Sequence, residues 1–241
     1  DYLRAFDYQL LPEQSIDSQM LLLAGTAELA GTARDDLFVL TGTNLAFSGH
    51  ALADAWLCSG VVNFSGRADD HVRALGQTVT VSGQLARDCH VLGNTVHLTT
   101  GSVVRGSAAV LGVNVILEGL VDGGLQVLGQ SVTLAGRVGG NVRVLAQDIV
   151  VMPGTVISGD LTYTSPKELF LDRNVQLGGK LQRKLPAPKS AESAQHNLLR
   201  TLTISGLQLL AALLAGIPFV AIFPRLVGRA ARHVHFAPGR T

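Results

Sequence analysis

A short pattern, in which an apolar residue, any residue and two further apolar residues follow one another, recurs every 17 to 19 residues between Met20 and Leu181. Nine copies begin at Met20, Leu37, Ala55, Val72, Cys89, Ala108, Leu125, Val142 and Leu161, the last with polar residues at two positions. A chain that repeats one small pattern at nearly constant steps stacks one structural unit upon itself, which is the signature of a solenoid. Residues 20–181 are therefore predicted to form one stacked domain.

A second segment follows each copy, alternates apolar residues with others, and closes with glycine, as in residues 62–66 and 79–83. This alternation predicts a strand followed by a tight corner. A third, weaker apolar position follows each glycine, at Leu52, Ala68, Leu85, Val103, Val121, Val138, Val156 and Leu177. Three short strands per turn predict an all-β fold, a three-sided β-helix of about nine turns with apolar columns facing inward.

Both cysteines that fall within the repeat are expected to be small core residues. Cys58 shares a column with Leu40, Leu75 and Leu92, and Cys89 shares another with Leu37 and Val72. Because the two cysteines lie two turns apart in different columns, their Cα atoms cannot meet the separation of roughly 4.4 to 6.8 Å that a disulfide requires. Burial as small hydrophobic side chains is the prediction for both.

A long uncharged run covers residues 202–223, and its 22 residues include a single glutamine and no charge. At ~1.5 Å per helical residue such a run spans a bilayer core of roughly 30 Å. It is predicted to be one transmembrane helix, and the alternative is a buried helix packed on the end of the solenoid. The anchor positions are Leu202, Leu209, Leu213, Gly216, Pro218, Phe219 and Phe223.

The segments around the solenoid and the run receive separate predictions. Residues 1–19 lack the repeat and are expected to cap the edge of the first turn. Residues 182–201 are predicted to be a partly extended linker, and residues 224–241 a basic tail. Basic residues lie on both sides of the run but are closer to it in the tail, which favours a cytoplasmic tail and an extracytoplasmic solenoid. The first residue is Asp1, which a removed signal peptide would explain.

The repeated segments resemble a known family. The Gly-x-Val-x-Val-Leu and Val-x-Leu-x-Gly copies, and the closing stretch at residues 157–166, resemble the bactofilins, the polymer-forming cytoskeletal proteins of bacteria, and are most similar to their membrane-attached, extracytoplasmic branch. The resemblance implies a right-handed β-helix, a non-enzymatic scaffold role and a place in the bacterial inner membrane with one or more membrane helices, and the one uncharged run in this sequence predicts a single-pass protein. The non-repeat segment before the first turn departs from the uncapped ends of polymerising members.

Catalytic chemistry finds little support in the sequence. Valines at intervals of six from Val132 to Val156 resemble the hexapeptide repeat of acyltransferases, but no turn carries the long loop that such enzymes use. His50, His71, His90 and His97 are expected to be solvated. The corner acids Asp36, Asp54, Asp88 and Asp160 could hold calcium, but each is expected to bond its own backbone two residues on. No catalytic, cofactor or metal site is predicted, and the protein is not expected to be an enzyme.

Outward positions should carry recognition. On the first strand these positions include Phe38, Trp56, Arg73 and His90, and on the second they include Ile116, Val150 and Phe170. Grouped aromatic residues suggest a surface for docking a partner, unless residues 1–17 fold back over Phe38 and Trp56. A net charge of +1 disfavours binding of nucleic acid.

These observations together predict a membrane-anchored β-helical scaffold. Its partners would be membrane lipid and either other subunits of a membrane complex or further copies of itself. An accessory subunit is preferred, and the alternatives are a self-polymerising cytoskeletal element or a module that binds cell-wall polysaccharide.

Overall fold

The structure, a computed structural model, describes residues 2–185, which form a single parallel β-solenoid. Within this range no helix is long and apolar enough to cross a membrane. The predicted anchor at 202–223 and the basic tail lie outside the described residues, as does most of the linker.

Each full turn has three sides. In the turn that begins at Ala55, residues 55–58 form the first side, residues 61–64 the second side, and Arg67–Ala68 the third side. The strands of the first and second sides are β1 (Tyr2–Arg4), β2 (Asp7–Leu10), β4 (Met20–Leu29), β6 (Leu37–Phe47), β8 (Ala55–Phe64), β10 (Val72–Val81), β12 (Cys89–Leu98), β14 (Ala108–Leu117), β16 (Leu125–Leu134), β18 (Val142–Leu145), β19 (Asp148–Val151), β21 (Leu161–Thr164) and β23 (Leu181–Lys184). The strands of the third side are β3 (Ser15–Ile16), β5 (Thr32–Ala33), β7 (His50–Ala51), β9 (Arg67–Ala68), β11 (Gln84–Leu85), β13 (Val103–Val104), β15 (Leu120–Val121), β17 (Arg137–Val138), β20 (Val156–Ile157) and β22 (Gln176–Leu177).

Every turn pairs in parallel with the next, so that the sides become a 13-stranded and a 10-stranded sheet. Eleven first-side strands, from β1 to β23, stack in the described residues, and the expected nine turns is an undercount. Residues 2–16 cover the edge of β4 by forming a turn of their own, in which Tyr2 pairs with Leu21. The segment 165–175 contains no strand, so that the tenth turn has no regular second side.

The core consists of inward-facing columns that alternate with outward residues. From β4 to β21, the first and third residues of each first-side strand face inward, as Val72 and Ala74 do, and the second side contributes Val79 and Val81. Phe47 and Phe64 stack inside, with ring centroids 5.1 Å apart and planes 3° apart. Stacked identical positions bury aliphatic and aromatic surface turn upon turn, which is the main stabilisation of a solenoid.

The fourth residue of the repeated pattern does not belong to the core, contrary to the sequence interpretation. Leu40, Leu75 and Leu92 are 49%, 45% and 43% exposed. Strict alternation along a strand explains this, because inward residues one and three leave residue four on the outer face. Cys58, which occupies this outer column, is therefore only partly buried, whereas Cys89 is buried as expected.

The third side also differs by one residue from the predicted column at some turns. Ala51, Val104 and Ile157 are buried there, whereas the predicted Leu52 is exposed and Val103 and Val156 are half-buried.

Corner residues link successive turns. Asp54, Asp88 and Asp160 each accept a hydrogen bond from a backbone N–H of the next turn, that of His71 (3.2 Å), Ser107 (2.7 Å) and Lys180 (2.7 Å) respectively. The expected bond to their own backbone two residues on is thus replaced by a bond between turns. Glycines at other corners allow the turns to approach closely, since a Cβ on Gly66 would lie 2.2 Å from the carbonyl oxygen of Gly49.

Candidate functional site

An apolar column runs along the outer face of the first side. It is formed by the fourth residue of each strand, and we name it the leucine ladder. Its eight positions, from the second to the ninth turn, are Leu23, Leu40, Cys58, Leu75, Leu92, Leu111, Leu128 and Leu145. Neighbouring members pair directly in the sheet register, so that each leucine covers part of the next while its outer surface stays exposed.

A second outward column lies beside the leucine ladder and has varied side chains. It is formed by the second residue of each first-side strand, and we name it the mixed column. Its members in the same turns are Leu21, Phe38, Trp56, Arg73, His90, Ala109, Gln126 and Arg143. The two columns together line a continuous groove of about 1130 Å³. We call this surface the first-side face.

The sequence correctly grouped four of these residues. Phe38 and Trp56 stack with ring centroids 6.1 Å apart and an interplanar angle of 19°. The Arg73 guanidinium lies 4.6 Å from the centre of the Trp56 ring. Arg73 is in the turn after Trp56, whereas Phe38 is in the turn before it. Cation–π contacts of this kind hold an aromatic ring in place. His90 follows Arg73 in register and is exposed.

The leucine ladder itself was missed, because its residues were assigned to the core. The signal was present in the alternation, since residues one and four of a strand cannot face the same way. A surface of eight stacked apolar positions is uncommon on a soluble face, where single exposed apolar residues are the rule.

The second side provides an internal comparison, because its outer face has the same backbone geometry and different side chains. Its outward residues are mostly small and polar, such as Thr78, Thr80, Asn114 and Ser131. Ile116 and Val150, two predicted partner residues, interrupt this polar face in separate turns. They do not join the first-side face.

Phe170, the remaining predicted partner residue, lies in the strandless segment between β21 and β22 rather than in a second-side strand, and it is 82% exposed. The structure therefore separates the seven predicted residues into a group of four on the first side and three dispersed positions.

The N-terminal segment does not cover the aromatic pair. Tyr2–Arg4 pairs edge to edge with β4, and Trp56 remains 45% exposed two turns away. In the described residues, the expectation that residues 1–17 fold back over Phe38 and Trp56 is wrong.

Three of the histidines form contacts with carboxylates. His50 lies 2.8 Å from Asp69, and His97 lies 2.7 Å from Glu118. His71 lies 2.6 Å from Asp70 and 3.2 Å from Asp54. These groups are half-buried and paired rather than freely solvated.

Asp54, Asp70 and His71 place three possible ligand atoms within 4.8 Å of one another. Asp54 is already engaged, because the Arg73 guanidinium donates to it at 2.7 Å. Burial would raise the pKa of Asp54, but the Arg73 hydrogen bond and charge outweigh it, and the pKa lies below its usual value. This cluster anchors Arg73 against Trp56, and a cation bound there would share the Asp54 carboxylate with the guanidinium, which contacts Oδ2, while Oδ1 faces His71.

No protein-family model, curated protein or solved structure matches the chain. The resemblance to the bactofilins stays a prediction, and the function is argued from the first-side face.

Proposed function

We propose that the protein is a non-enzymatic scaffold, in which a right-handed β-solenoid, anchored in the bacterial inner membrane by residues 202–223, docks a protein partner on its first-side face. The observation that supports docking is the leucine ladder. Eight stacked outward positions on one side are apolar, whereas the outward positions of the second side are mostly small and polar, with Val61, Ile116 and Val150 as scattered apolar exceptions. The contrast supports recognition on the first side and solvent contact on the second.

The chemistry of the face favours a protein over a polysaccharide. The centre of a protein interface is apolar, with aromatic residues and arginine enriched, and the first-side face combines aliphatic side chains with Trp56 and Arg73. A sugar polymer needs hydrogen-bonding groups for its hydroxyls, and the leucine ladder offers none. The structural role we infer is that of a rigid accessory subunit in a membrane assembly.

The test compares two outward positions of one turn in the full chain. A photo-crosslinking amino acid is placed at Leu111, on the leucine ladder, or at Asn114, which is exposed on the second side. We expect protein adducts in membranes from position 111 and few from position 114. Equal yields from both positions, or none from position 111, would refute docking on the first side.

Membrane attachment is measured in the same cells. The full chain should stay in the membrane pellet after alkaline carbonate extraction, and substitution of Leu209 and Leu213 by glutamate should release it. A wild-type chain that carbonate releases would refute the anchor while leaving the docking result to stand on its own. Long filaments of the purified chain in negative stain would favour the polymerising alternative.

A further inference from the structure

We propose that a second copy of this chain occupies the first-side face, so that two solenoids pack face to face with their stacking axes antiparallel. This rests on the proposed function in one respect, namely that the first-side face is a docking surface. It adds the identity of the partner and the register of the contact.

The size of the face suits a modest but specific interface. Four residues per strand give a width of about 13 Å, and eight turns at about 4.8 Å give a length of about 38 Å. The product is about 500 Å² per copy, or about 1,000 Å² for two copies, which is the size at which specific interfaces begin. Because the strands of the face stack in register, two copies can meet along its whole length, with outward side chains of one copy entering the groove of the other.

Two arrangements of two-fold symmetry bring the faces together, and the side chains distinguish them. If the axis runs along the stacking direction, the leucine ladder of one copy meets the mixed column of the other. Arg73, near the centre of the face, would then be buried against Leu75 of the other copy. If the axis runs along the strands, leucine ladder meets leucine ladder and mixed column meets mixed column, with the stacks antiparallel. The second arrangement places the two aliphatic ladders against each other and is the one we infer.

The register follows from the extent of the ladder. The midpoint of its eight positions lies between Leu75 and Leu92. A two-fold axis through this midpoint makes the two ladders overlap along their full length, and Leu75 of each copy then meets Leu92 of the other. One turn further out, Cys58 meets Leu111.

The mixed column is brought together in the same register, in which Arg73 of each copy meets His90 of the other beside the two-fold axis. Its bulkiest residue, Trp56, meets Ala109 of the second copy, so that a large ring lies against a small side chain. Arg143 meets Leu21 near the end of the contact, which keeps the two Arg143 guanidinium groups about seven turns apart. An arrangement with parallel stacks would instead place every turn of one copy opposite the same turn of the other copy, so that the two Arg143 side chains would lie in the same layer.

The experiment measures self-association of the full chain in a mild detergent by sedimentation velocity over a range of concentrations. The wild type should form dimers at micromolar concentration. Leu75→Glu and Leu92→Lys, each introduced separately, should weaken dimerisation at least ~100-fold, because each leaves two unpaired charges in the interface. The two changes combined in one chain should restore it, since the carboxylate then meets the ammonium of the other copy.

The matched control uses the second side of the same two turns. Thr78 and Thr95 pair in register there, and Thr78→Glu, Thr95→Lys and their combination should leave the dissociation constant within about twofold of the wild type, because surface charges of this kind contribute little. Circular dichroism checks that every variant keeps its strand content.

Several results would overturn the proposal. A wild type that stays monomeric at 10-fold higher concentration excludes self-pairing, whatever the variants do. A weakened combined variant excludes the antiparallel register, and control variants that dissociate equally exclude the first side as the contact. A monomeric chain would assign the face to lipid instead if, in the anchor-defective background with Leu209→Glu and Leu213→Glu, the leucine ladder variants lost the vesicle flotation that the unaltered ladder retains. Adducts from position 111 to a different protein would overturn self-pairing while supporting the scaffold role, and none of these results affects carbonate-resistant attachment, so that the two proposals fail separately.

Discussion

The orientation of the leucine ladder makes neighbouring residues differ sharply in their tolerance of charge. Val110 and Leu111 are adjacent in β14, but Val110 is 3% exposed and Leu111 is 42% exposed. Replacing Val110 by aspartate removes a buried side chain worth roughly 1.5 to 3 kcal/mol and adds a buried polar group that costs roughly 1 to 3 kcal/mol more. The expected loss for Val110→Asp is therefore about 3 to 6 kcal/mol.

Leu111→Asp should cost much less. The side chain gives up only the contacts with Leu92 and Leu128 in the neighbouring turns, and its new carboxylate reaches water. About half of a leucine's burial is lost, which amounts to about 1 kcal/mol.

The assay is unfolding of the full chain followed by circular dichroism, at a dilution where copies are separate, since association adds apparent stability. Hydrogen exchange of β12 and β16 locates the damage, because a solenoid turn contacts only its neighbours. If Leu111→Asp destabilised the chain as much as Val110→Asp does, the leucine ladder would face inward and the proposed docking face would not exist.

Two further predictions concern thiol reactivity and pH. Cys58 should react with a water-soluble maleimide in the folded chain, although partial burial raises its pKa and slows the reaction. Cys89, whose pKa burial raises to about 12, should react only on unfolding. Equal reaction rates of the two thiols, measured by mass spectrometry, would contradict the assigned orientations. Asp54 has a folded-state pKa below its ordinary value of 3.8, so its stabilisation is present above that value and is lost as the pH falls through the folded-state value. The difference in melting temperature between wild type and Asp54→Asn should accordingly be constant near neutral pH and shrink below about pH 4, and a difference that persists at pH 2 would refute the role of the Asp54–Arg73 pair.

The periodicity predicted the stacking of turns because steps of 17 to 19 residues leave few other ways to bury so many apolar positions. The two end turns were missed for a physical reason. Among the described residues, Tyr2–Arg4 and Leu181–Lys184 each have only one paired neighbour and are exposed throughout, so that no inward column constrains their residues. A pattern that arises from burial is weakest where burial ends.

Of the two columns that form the candidate site, the sequence predicted the outward orientation of the mixed column but not that of the leucine ladder. Phe38, Trp56, Arg73 and His90 were recognised as outward because varied side chains interrupt a repeat only where packing does not restrict them. The leucine ladder was assigned to the core because a regularly repeated leucine is usually a buried residue. The segment 165–175 breaks the second side, so counting residues along the repeat could not locate Phe170.

Asp54, Asp88 and Asp160 at the corners each bond to the following turn. The packing of a turn therefore depends on the turn next to it and not on its distance from either end of the solenoid. Copying a whole repeat would therefore lengthen the solenoid by one layer without disturbing the layers already present, whereas a residue added within the alternating part of a side would move the later side chains of that side to the opposite face. A residue added at the corner between two sides is absorbed, as in β6, where a bulge between Leu40 and Asn44 leaves Leu45 and Phe47 buried. The number of repeats therefore sets the length of the solenoid, and with it the length of the first-side face.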